Sequence, residues 1–304
     1  MSAAMDYERR DAIDTVAVAL MIGLTFSWGL NGVAAKITNS GFNPIFATFF
    51  RSALGAVLVF AWCRYRRVRL FGSDGTLWPG IVAGALFGFE FVLIFFGLDF
   101  TSVARSVLLV NTMPFWVLIG AHFLLGERMT LEKLAGLALA FAGVGVVFSD
   151  KLSLIGPQAL VGDLMSLGAG LLWGATTLVI KSSRLVRASA EKILLYQLVV
   201  SAIVVVPLVP LAGPVLREVS AAAVGSLFFQ AIYIVAFTYV LWFWLMRRYP
   251  AAGLSSFAFL TPVFGVFLGG VLLDEPLSAR LFVALAMIAA GLAIVNRPQR
   301  KQEA

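Results

Sequence analysis

Long apolar stretches alternate with short polar segments along the whole chain. A helix needs about 20 predominantly apolar residues to cross the hydrocarbon core of a bilayer. Ten stretches are long enough, and no segment between them could fold as a separate domain. The pattern therefore predicts an all-α integral membrane protein with ten transmembrane helices. They are expected at residues 15–36, 43–63, 77–98, 103–125, 131–149, 160–181, 191–211, 220–246, 252–273 and 279–296.

A motif of the first half returns in the second half. A Trp-Gly pair is followed by six residues and a lysine, and the same spacing recurs 145 residues later. The two copies comprise Trp28, Gly29 and Lys36, and Trp173, Gly174 and Lys181.

A longer internal match places residues 114–147 on residues 262–295 without a gap, at an offset of 148. Each half holds five predicted helices. Because five is odd, the second copy must be inverted relative to the first, as in many secondary transporters. The sequence predicts two inverted five-helix repeats, residues 1–149 and 150–304, which form a single transport unit.

Composition agrees with a membrane protein, because 61% of the residues are hydrophobic and 13% are charged, against roughly 25% charged in soluble domains. The first fourteen residues are polar and lack the features of a cleaved secretory signal, so the first helix is predicted to be retained. Cys63 is the only cysteine, which excludes disulfides and cysteine-rich metal sites. No catalytic residue, metal or cofactor is predicted.

Lysine and arginine in the short loops predict the orientation. With the N-terminus in the cytoplasm, 17 of these residues lie on the cytoplasmic side and 5 on the other. Both termini are therefore expected inside, in a multi-pass protein of the inner (cytoplasmic) membrane. The net charge of +7 follows from this topology, so no nucleic-acid partner is predicted. The basic loops can contact membrane lipid headgroups.

Two prolines lie near the middle of the fourth and ninth predicted helices, at Pro114 and Pro262. Each removes a backbone donor and frees the carbonyl four residues earlier. One such proline is consistent with an ordinary kink. Two at matching positions favour hinges that border a binding site, since paired helix interruptions mark the sites of transporters.

Glu90 is the one carboxylate well inside a predicted span. A buried, isolated carboxylate is costly. It could couple export to protons, bind the ammonium group of a substrate, or serve as a structural partner of Arg51 or Asn111. The sequence leaves these alternatives open.

Other candidates are polar and aromatic side chains on predicted helix faces. The eighth helix carries an aromatic stripe that begins at Gln230, Tyr233 and Phe237, and it could pack the bundle or face a wet cavity. Trp28 and Trp173 are expected along the pathway, and Lys36 and Lys181 are either interfacial anchors or gates. The candidate cavity residues are Trp28, Asn31, Glu90, Asn111, Phe115, Trp173, Thr177, Gln230, Tyr233 and Phe237.

Glycines four residues apart on the third, sixth and ninth helices indicate close helix packing. The fifth and tenth helices carry small or aliphatic residues without a charge in mid-span. They are expected at the periphery or in a homodimer contact.

These motifs resemble the drug/metabolite transporter superfamily, in particular its EamA-type ten-helix exporters, and within them most closely the YddG-type amino-acid exporters. The resemblance implies a central cavity, alternating access and efflux of small metabolites, often amino acids. The matching residues are Trp28-Gly29 through Lys36, Arg51, Pro114 with Leu124-Leu125-Gly126-Glu127, Trp173-Gly174 through Lys181, and Pro262 with Leu272-Leu273-Asp274-Glu275; the second copy departs from the pattern at Gln197, opposite Arg51, and at Asp274.

The residues fit an aromatic or neutral amino acid, since a zwitterion needs an acceptor for its ammonium, donors for its carboxylate and apolar walls. Other classes of function fit these residues less well. Proton-coupled multidrug or quaternary-ammonium efflux would usually use a carboxylate in the first helix, which offers Asn31 instead. An intramembrane enzyme would need a paired nucleophile and base or an HExxH motif, and a mere scaffold would not need paired proline breaks.

Overall fold

The computed structural model of the protein describes residues 10–98, 100–101, 103–149, 159–273 and 280–297. The described residues form a helical bundle in which each predicted span corresponds to a helix or to consecutive helical pieces. The helices are α1 (Thr15–Gly41), α2 (Pro44–Tyr65), α3 (Leu77–Leu98), α4 (Val103–Val110 and Met113–Leu125), α5 (Leu131–Phe148), α6 (Ala159–Ser182), α7 (Ala190–Val205, then 3₁₀-helical Val206–Ala212), α8 (Ala221–Phe229, Gln230–Thr238 and Tyr239–Arg248), α9 (Ala251–Ser256, Phe257–Phe259 and Leu260–Leu273) and α10 (Arg280–Val295), with a 3₁₀ turn at Arg184–Arg187.

Nine of these helices are long and apolar enough to cross a membrane within the described residues, and α10 is a shorter apolar helix of the same kind. The predicted fold class of an all-helical membrane protein is confirmed. Several helices begin at the polar side chains that the sequence places before them. Asp14, for example, accepts a hydrogen bond from the amide of Ala17 at 2.8 Å, which satisfies one of the free donors of the first turn of α1.

Small residues bring pairs of helices together at backbone distance. On α3, a Cβ at Gly80 would lie 2.5 Å from the ring of Tyr196 on α7, and one at Gly84 would lie 2.6 Å from Val200. On α1, a Cβ at Gly29 would lie 2.8 Å from the backbone nitrogen of Gly265 on α9. Such contacts gain dispersion energy that larger side chains would prevent.

Helices α5 and α10 pack against each other through their glycines. A Cβ at Gly136 would lie 2.8 Å from the carbonyl oxygen of Gly291, and a Cβ at Gly291 would lie 2.5 Å from that of Gly136. The small-residue faces of these two helices are therefore occupied within the chain. A homodimer contact through α5 and α10 stays a prediction, and it would have to use their other faces, which carry exposed Leu131, Phe282 and Val283.

Three helices are interrupted near their middle. Helix α4 breaks at Asn111 and Thr112, directly before Pro114, and α9 passes through a 3₁₀ turn at Phe257–Phe259 shortly before Pro262. Helix α8 contains a nine-residue π-helix, Gln230–Thr238. Such π segments are rare and frequently lie at functional sites. The three interruptions therefore indicate the centre of the bundle as the place to expect a functional site.

Candidate functional site

A cavity of about 220 Å³ lies at the centre of the bundle, between α1, α3, α4, α6, α7, α8 and α9. Its lining includes one residue next to each proline break, Val110 on α4 and Thr261 on α9. The lining residues are Trp28, Asn31, Phe87, Glu90, Phe91, Ile94, Val110, Trp173, Thr176, Thr177, Gln197, Tyr239, Trp242, Phe243, Met246 and Thr261.

Aromatic rings form one wall of this cavity in edge-to-face contact. The ring of Trp28 lies 5.5 Å from that of Trp242 and 6.3 Å from that of Tyr239, and both pairs are T-shaped. The indole nitrogen of Trp28 donates a hydrogen bond to Thr238 at 3.1 Å. Phe87 extends the wall, since its ring lies 6.2 Å from Tyr239. These contacts hold the rings in fixed relative orientations, so that the wall is apolar and rigid.

Polar atoms without partners concentrate at the same cavity. In the described part of the chain, seven buried side-chain oxygen or nitrogen atoms lack a hydrogen-bond partner, and five of them belong to cavity-lining residues. Leaving such an atom unpaired costs about 1–3 kcal/mol, so a ligand or water in the cavity would complete these bonds. The five atoms are Asn31 Oδ1, Glu90 Oε2, Gln197 Oε1, Gln197 Nε2 and Thr261 Oγ1.

Glu90 is the one carboxylate among the lining residues, and the lining contains no lysine, arginine or histidine. Its side chain is 5% exposed. The ion pairs found among the described residues join other partners: Arg10 with Asp14, Arg105 with Asp163, and Lys192 with Asp74. The cavity thus holds an acceptor of negative character without an opposite charge beside it.

Arg51 lies one layer behind the cavity wall. Its guanidinium donates to Gln230 Oε1 at 3.2 Å and to the hydroxyl of Tyr239 at 3.5 Å, and it lies over the ring of Phe91. Arg51 is 7% exposed and does not line the cavity. It is a buried cation that the aromatic rings of Tyr239 and Phe91 separate from the ligand space.

The π-helix in α8 changes which residues of that helix meet the cavity. The sequence predicted Gln230, Tyr233 and Phe237 there, on the assumption of α-helical spacing. The wider π turn rotates the following residues, so that Tyr239 and Trp242 face the cavity instead. A π-helix has no strong sequence signal, which is why the predicted stripe differs from the observed one.

The three predicted residues of α8 have other surroundings. Gln230 is buried and donates to Thr38 Oγ1 at 2.6 Å, besides accepting from Arg51. The hydroxyl of Tyr233 lies 3.0 Å from that of Ser27, and Tyr233 is 38% exposed. Phe237 stacks on Tyr233 and is 60% exposed. None of the three lines the cavity.

The two predicted residues of α4 also lie outside the lining. Asn111 sits at the helix break, where its amide donates to the carbonyl of Val107 at 2.8 Å while Oδ1 is buried without a partner. The ring of Phe115 packs edge-on against Phe141 and Phe259. Both therefore belong to the packing around the break of α4. Val110 is the residue of this helix that reaches the cavity.

The predicted residues of α1, α3 and α6 do come together. Trp28, Asn31 and Glu90 meet Trp173 and Thr177 at the same cavity. The sequence analysis did not propose Gln197 as a cavity residue. Gln197 is nevertheless a polar residue in mid-span, at the position of the second repeat that corresponds to Arg51 in the first. The aromatic residues Phe87, Tyr239 and Trp242 were not predicted either, since they are indistinguishable by type from side chains that face lipid.

Tyr249 is the centre of a polar cluster at the end of the bundle where α1 begins, which is called the Tyr249 end below. Its hydroxyl donates to the carboxylate of Asp14 at 3.0 Å, and its backbone carbonyl accepts a hydrogen bond from Lys181. Tyr249 is 2% exposed. The side chain of Lys36, the counterpart of Lys181, lies outside the described residues.

Glu127, in the segment that follows α4, also stabilises this end. Its two carboxylate oxygens accept hydrogen bonds from the backbone nitrogens of Ala251 at 2.8 Å and Ala252 at 3.2 Å, which are the first residues of α9. A carboxylate at a helix N-terminus is favoured by the helix dipole as well as by the bonds themselves. Glu275, the counterpart of Glu127 in the repeat, lies outside the described residues.

At the opposite end the described polar contacts join different helices. Asp163 on α6 accepts from Thr101 at 2.7 Å and from Arg105 of α4. Thr38 on α1 donates to Ser226 of α8 at 3.0 Å. These bonds connect α4 with α6 and α1 with α8, whereas those at the Tyr249 end connect α4 and α6 with the α8–α9 junction.

A second, larger groove of about 580 Å³ lies between α2, α3 and α7. Its lining is almost wholly apolar. Lys192, its one charged residue, is paired with Asp74 at 2.6 Å. The smaller central cavity is the better candidate for a functional site, because it combines rigid aromatic walls with unpaired polar atoms.

Two segments of the chain, residues 15–149 and 160–297, each match the EamA-like transporter family. The chain belongs to this family. The segments correspond to the two halves of five helices, and together they cover nearly the whole sequence. The EamA-type resemblance drawn from the sequence motifs is confirmed, and the protein is a multi-pass membrane transporter.

Some proteins that are similar to this chain are named for a substrate and others are not. The chain is 27% identical over 278 residues to the uncharacterized transporter YoaV of Bacillus subtilis (strain 168), covering 90% of this chain and 94% of that protein. It is also 27% identical over 302 residues to a probable amino-acid metabolite efflux pump of Escherichia coli (strain K12), covering 94% of each. A riboflavin transporter of Rhizobium johnstonii matches over 162 residues, 52% of this chain, at 27% identity.

A solved crystal structure shares the fold of this EamA-like chain. It superposes with a TM-score of 0.79 at 21% identity and covers 92% of this chain and 98% of its own. The agreement supports the overall fold alone.

Proposed function

We propose that this protein is a secondary transporter that exports small metabolites, principally aromatic and neutral amino acids, from the cytoplasm through the central cavity. The observation that carries the proposal is the set of unpaired polar atoms within aromatic walls. A relative described as a probable amino-acid metabolite efflux pump, 27% identical to this chain, adds support.

An amino acid has the chemistry that this cavity lacks. Its ammonium group would bind at the carboxylate of Glu90, aided by Asn31 Oδ1. Its carboxylate would accept hydrogen bonds from Gln197 Nε2 and the hydroxyl of Thr261, both without partners in the described structure. The side chain would pack against Trp28, Phe87 and Trp173. Each pairing removes the cost of an unsatisfied buried atom.

Alternating access would proceed between the two ends of the bundle. The Lys and Arg bias of the loops assigns the Tyr249 end to the cytoplasm, where Glu127, Lys181 and Asp14 hold the helices together. The structure would then represent a state closed to the cytoplasm. The two inverted repeats, with hinges at the breaks before Pro114 and Pro262, would exchange this closure for one at the other end.

Counterflow in proteoliposomes tests the proposal. Vesicles are loaded with unlabelled phenylalanine, and entry of labelled phenylalanine is followed without an ion gradient. We expect accumulation with the unchanged protein and with Glu132→Gln, which removes an exposed carboxylate at the start of α5. We expect loss of accumulation with Gln197→Leu, which keeps the volume and removes both polar atoms. Absence of counterflow for every neutral amino acid would refute amino-acid transport.

A second function, proton-coupled efflux of organic cations, is favoured by one observation, the lone carboxylate of Glu90 in an aromatic cavity. In that case an inward-directed pH gradient would be needed for transport, and quaternary ammonium compounds would replace amino acids as substrates. The same vesicles, assayed with an imposed pH gradient, distinguish the two functions.

A further inference from the structure

We propose that the central cavity also binds and transports aromatic primary amines, the decarboxylated counterparts of aromatic amino acids. The inference rests on the proposed function, since it assigns a second substrate class to the same site. It follows from an imbalance in that site: the group that would accept from an ammonium is a carboxyl, which can carry the opposite charge, whereas the groups that would donate to a carboxylate are neutral.

The ammonium side of the site is strong. Glu90 is 5% exposed, lines the cavity and takes part in none of the ion pairs described for this chain. A buried carboxylate without a counter-charge is unfavourable, and a ligand cation beside it gains a charge-assisted hydrogen bond. Asn31 Oδ1 supplies a further acceptor in the same cavity. A primary ammonium, with three donors, can use both.

The carboxylate side is weak. The donors available in the lining are the amide of Gln197, the hydroxyl of Thr261 and the hydroxyl of Tyr239, all of them uncharged. Arg51, the nearest basic residue named at this wall, is engaged with Gln230 and lies behind the rings of Tyr239 and Phe91. A substrate carboxylate must therefore lose its hydration in exchange for neutral hydrogen bonds.

A ligand without the carboxylate avoids this loss of hydration. The amine keeps the ammonium for Glu90 and the ring for the aromatic wall of Trp28, Trp173 and Trp242. A cation next to such rings gains further attraction from their π faces. The geometry therefore points to amines that bind at least as tightly as the parent amino acids.

Three ligands that share a phenylethyl unit test the inference: phenylalanine, 2-phenylethylamine and 3-phenylpropionate. Their binding to the purified full chain is followed by the fluorescence of the cavity tryptophans, and their transport by counterflow. We expect the amine to bind with a dissociation constant equal to or below that of phenylalanine and to be transported. We expect 3-phenylpropionate, which lacks the ammonium, to bind about 100-fold or more weakly.

Variants of Glu90 report whether the charge is responsible. Glu90→Gln should weaken the amine by about 100-fold, because an amide cannot ionise beside the ammonium, and should leave the binding of 3-phenylpropionate unchanged. Glu90→Asp keeps a carboxyl group and should retain amine binding, and Glu132→Gln is the matched control. A loss confined to the ligands that carry an ammonium would not result from a merely structural role of Glu90.

The outcomes separate this inference from the proposed function. Counterflow of phenylalanine without binding of the amine would overturn the inference and leave amino-acid export intact. Equal weakening of all three ligands by Glu90→Gln would also overturn it. Transport of the amine without transport of any neutral amino acid would support the amine site and refute the amino-acid assignment.

Discussion

Glu127, in the segment that follows α4, caps α9 through the backbone nitrogen of Ala251, at 2.8 Å from its Oε1. The bond joins an element of the first half to one of the second half. It lies at the end of the bundle where Tyr249 collects Asp14 and Lys181. In the proposed alternating access, opening this end would break the bond.

Replacing Glu127 with glutamine should favour the open state of the Tyr249 end. The variant loses the charge that the helix N-terminus stabilises and one of two strong acceptors. A charge-assisted hydrogen bond contributes roughly 1.5–3 kcal/mol, so we expect about a tenfold or larger increase in access to the cavity from that end. The measurement is the labelling rate of Thr177→Cys by a membrane-impermeant thiol reagent, with Glu132→Gln as the control. An unchanged rate would contradict a role for Glu127 in closure.

A pair of tyrosine variants tests the shift of faces in α8. Tyr239 lines the cavity, whereas Tyr233 bonds to Ser27 and is absent from the cavity lining. Tyr239→Phe should raise the half-saturating substrate concentration about threefold to tenfold, the effect of one hydrogen bond. Tyr233→Phe should leave it unchanged. The reverse order in a transport assay would show that the α-helical stripe read from the sequence is the functional one.

The pairing of Asp74 with Lys192 predicts a loss of stability in acid. The hydrogen bond from Lys192 lowers the pKa of the Asp74 carboxyl to about 2, below the usual value of about 3.9. A depressed pKa means that the carboxylate stabilises the fold above about pH 4 and that this contribution is lost as the pH falls towards 2. The melting temperature of the purified protein should fall over this interval, and Asp74→Asn should show a smaller fall. Identical pH profiles would refute the contribution of the pair.

Two glycines of α5 provide a matched test of the contact with α10. A Cβ at Gly136 would lie 2.8 Å from the carbonyl oxygen of Gly291, but a Cβ at Gly145 meets nothing within 4 Å. Gly136→Ala should therefore destabilise the protein by about 1–3 kcal/mol through overpacking. Gly145→Ala should be neutral or stabilise it by up to about 1 kcal/mol through helix propensity. Thermal unfolding in detergent compares them, and equal melting temperatures would contradict the close packing.

The sequence predicted the helices well because membrane thickness constrains their length. The third helix, expected at 77–98, is found at Leu77–Leu98. The first helix was predicted to end at residue 36 but continues to Gly41. The polar residues after Lys36 read as a loop, yet Thr38 is buried and pairs with Ser226 and Gln230. These hydrogen bonds to residues distant in sequence stabilise the last turns of α1, which the local sequence does not predict to be helical.

The site was predictable only in part. Trp28 and Trp173 were found because a repeated motif singles them out, and Glu90 because a mid-span carboxylate is rare. The predicted residues of α8 do not line the candidate cavity, since the π-helix between Gln230 and Thr238 is not visible in the sequence pattern. Aromatic residues of the cavity wall, such as Phe87, could not be predicted. In a membrane protein, apolar residues face lipid, neighbouring helices and cavities alike.

The cap that Glu127 places on α9 has a consequence for the solvent. When α4 withdraws, the amides of Ala251 and Ala252 lose their acceptors, and both residues are otherwise buried among apolar neighbours. Unpaired amides in such surroundings are too costly to persist. In the proposed transport cycle, water would therefore have to enter as the helices part, so that hydration of the first turn of α9 would accompany each opening and be a step of transport itself.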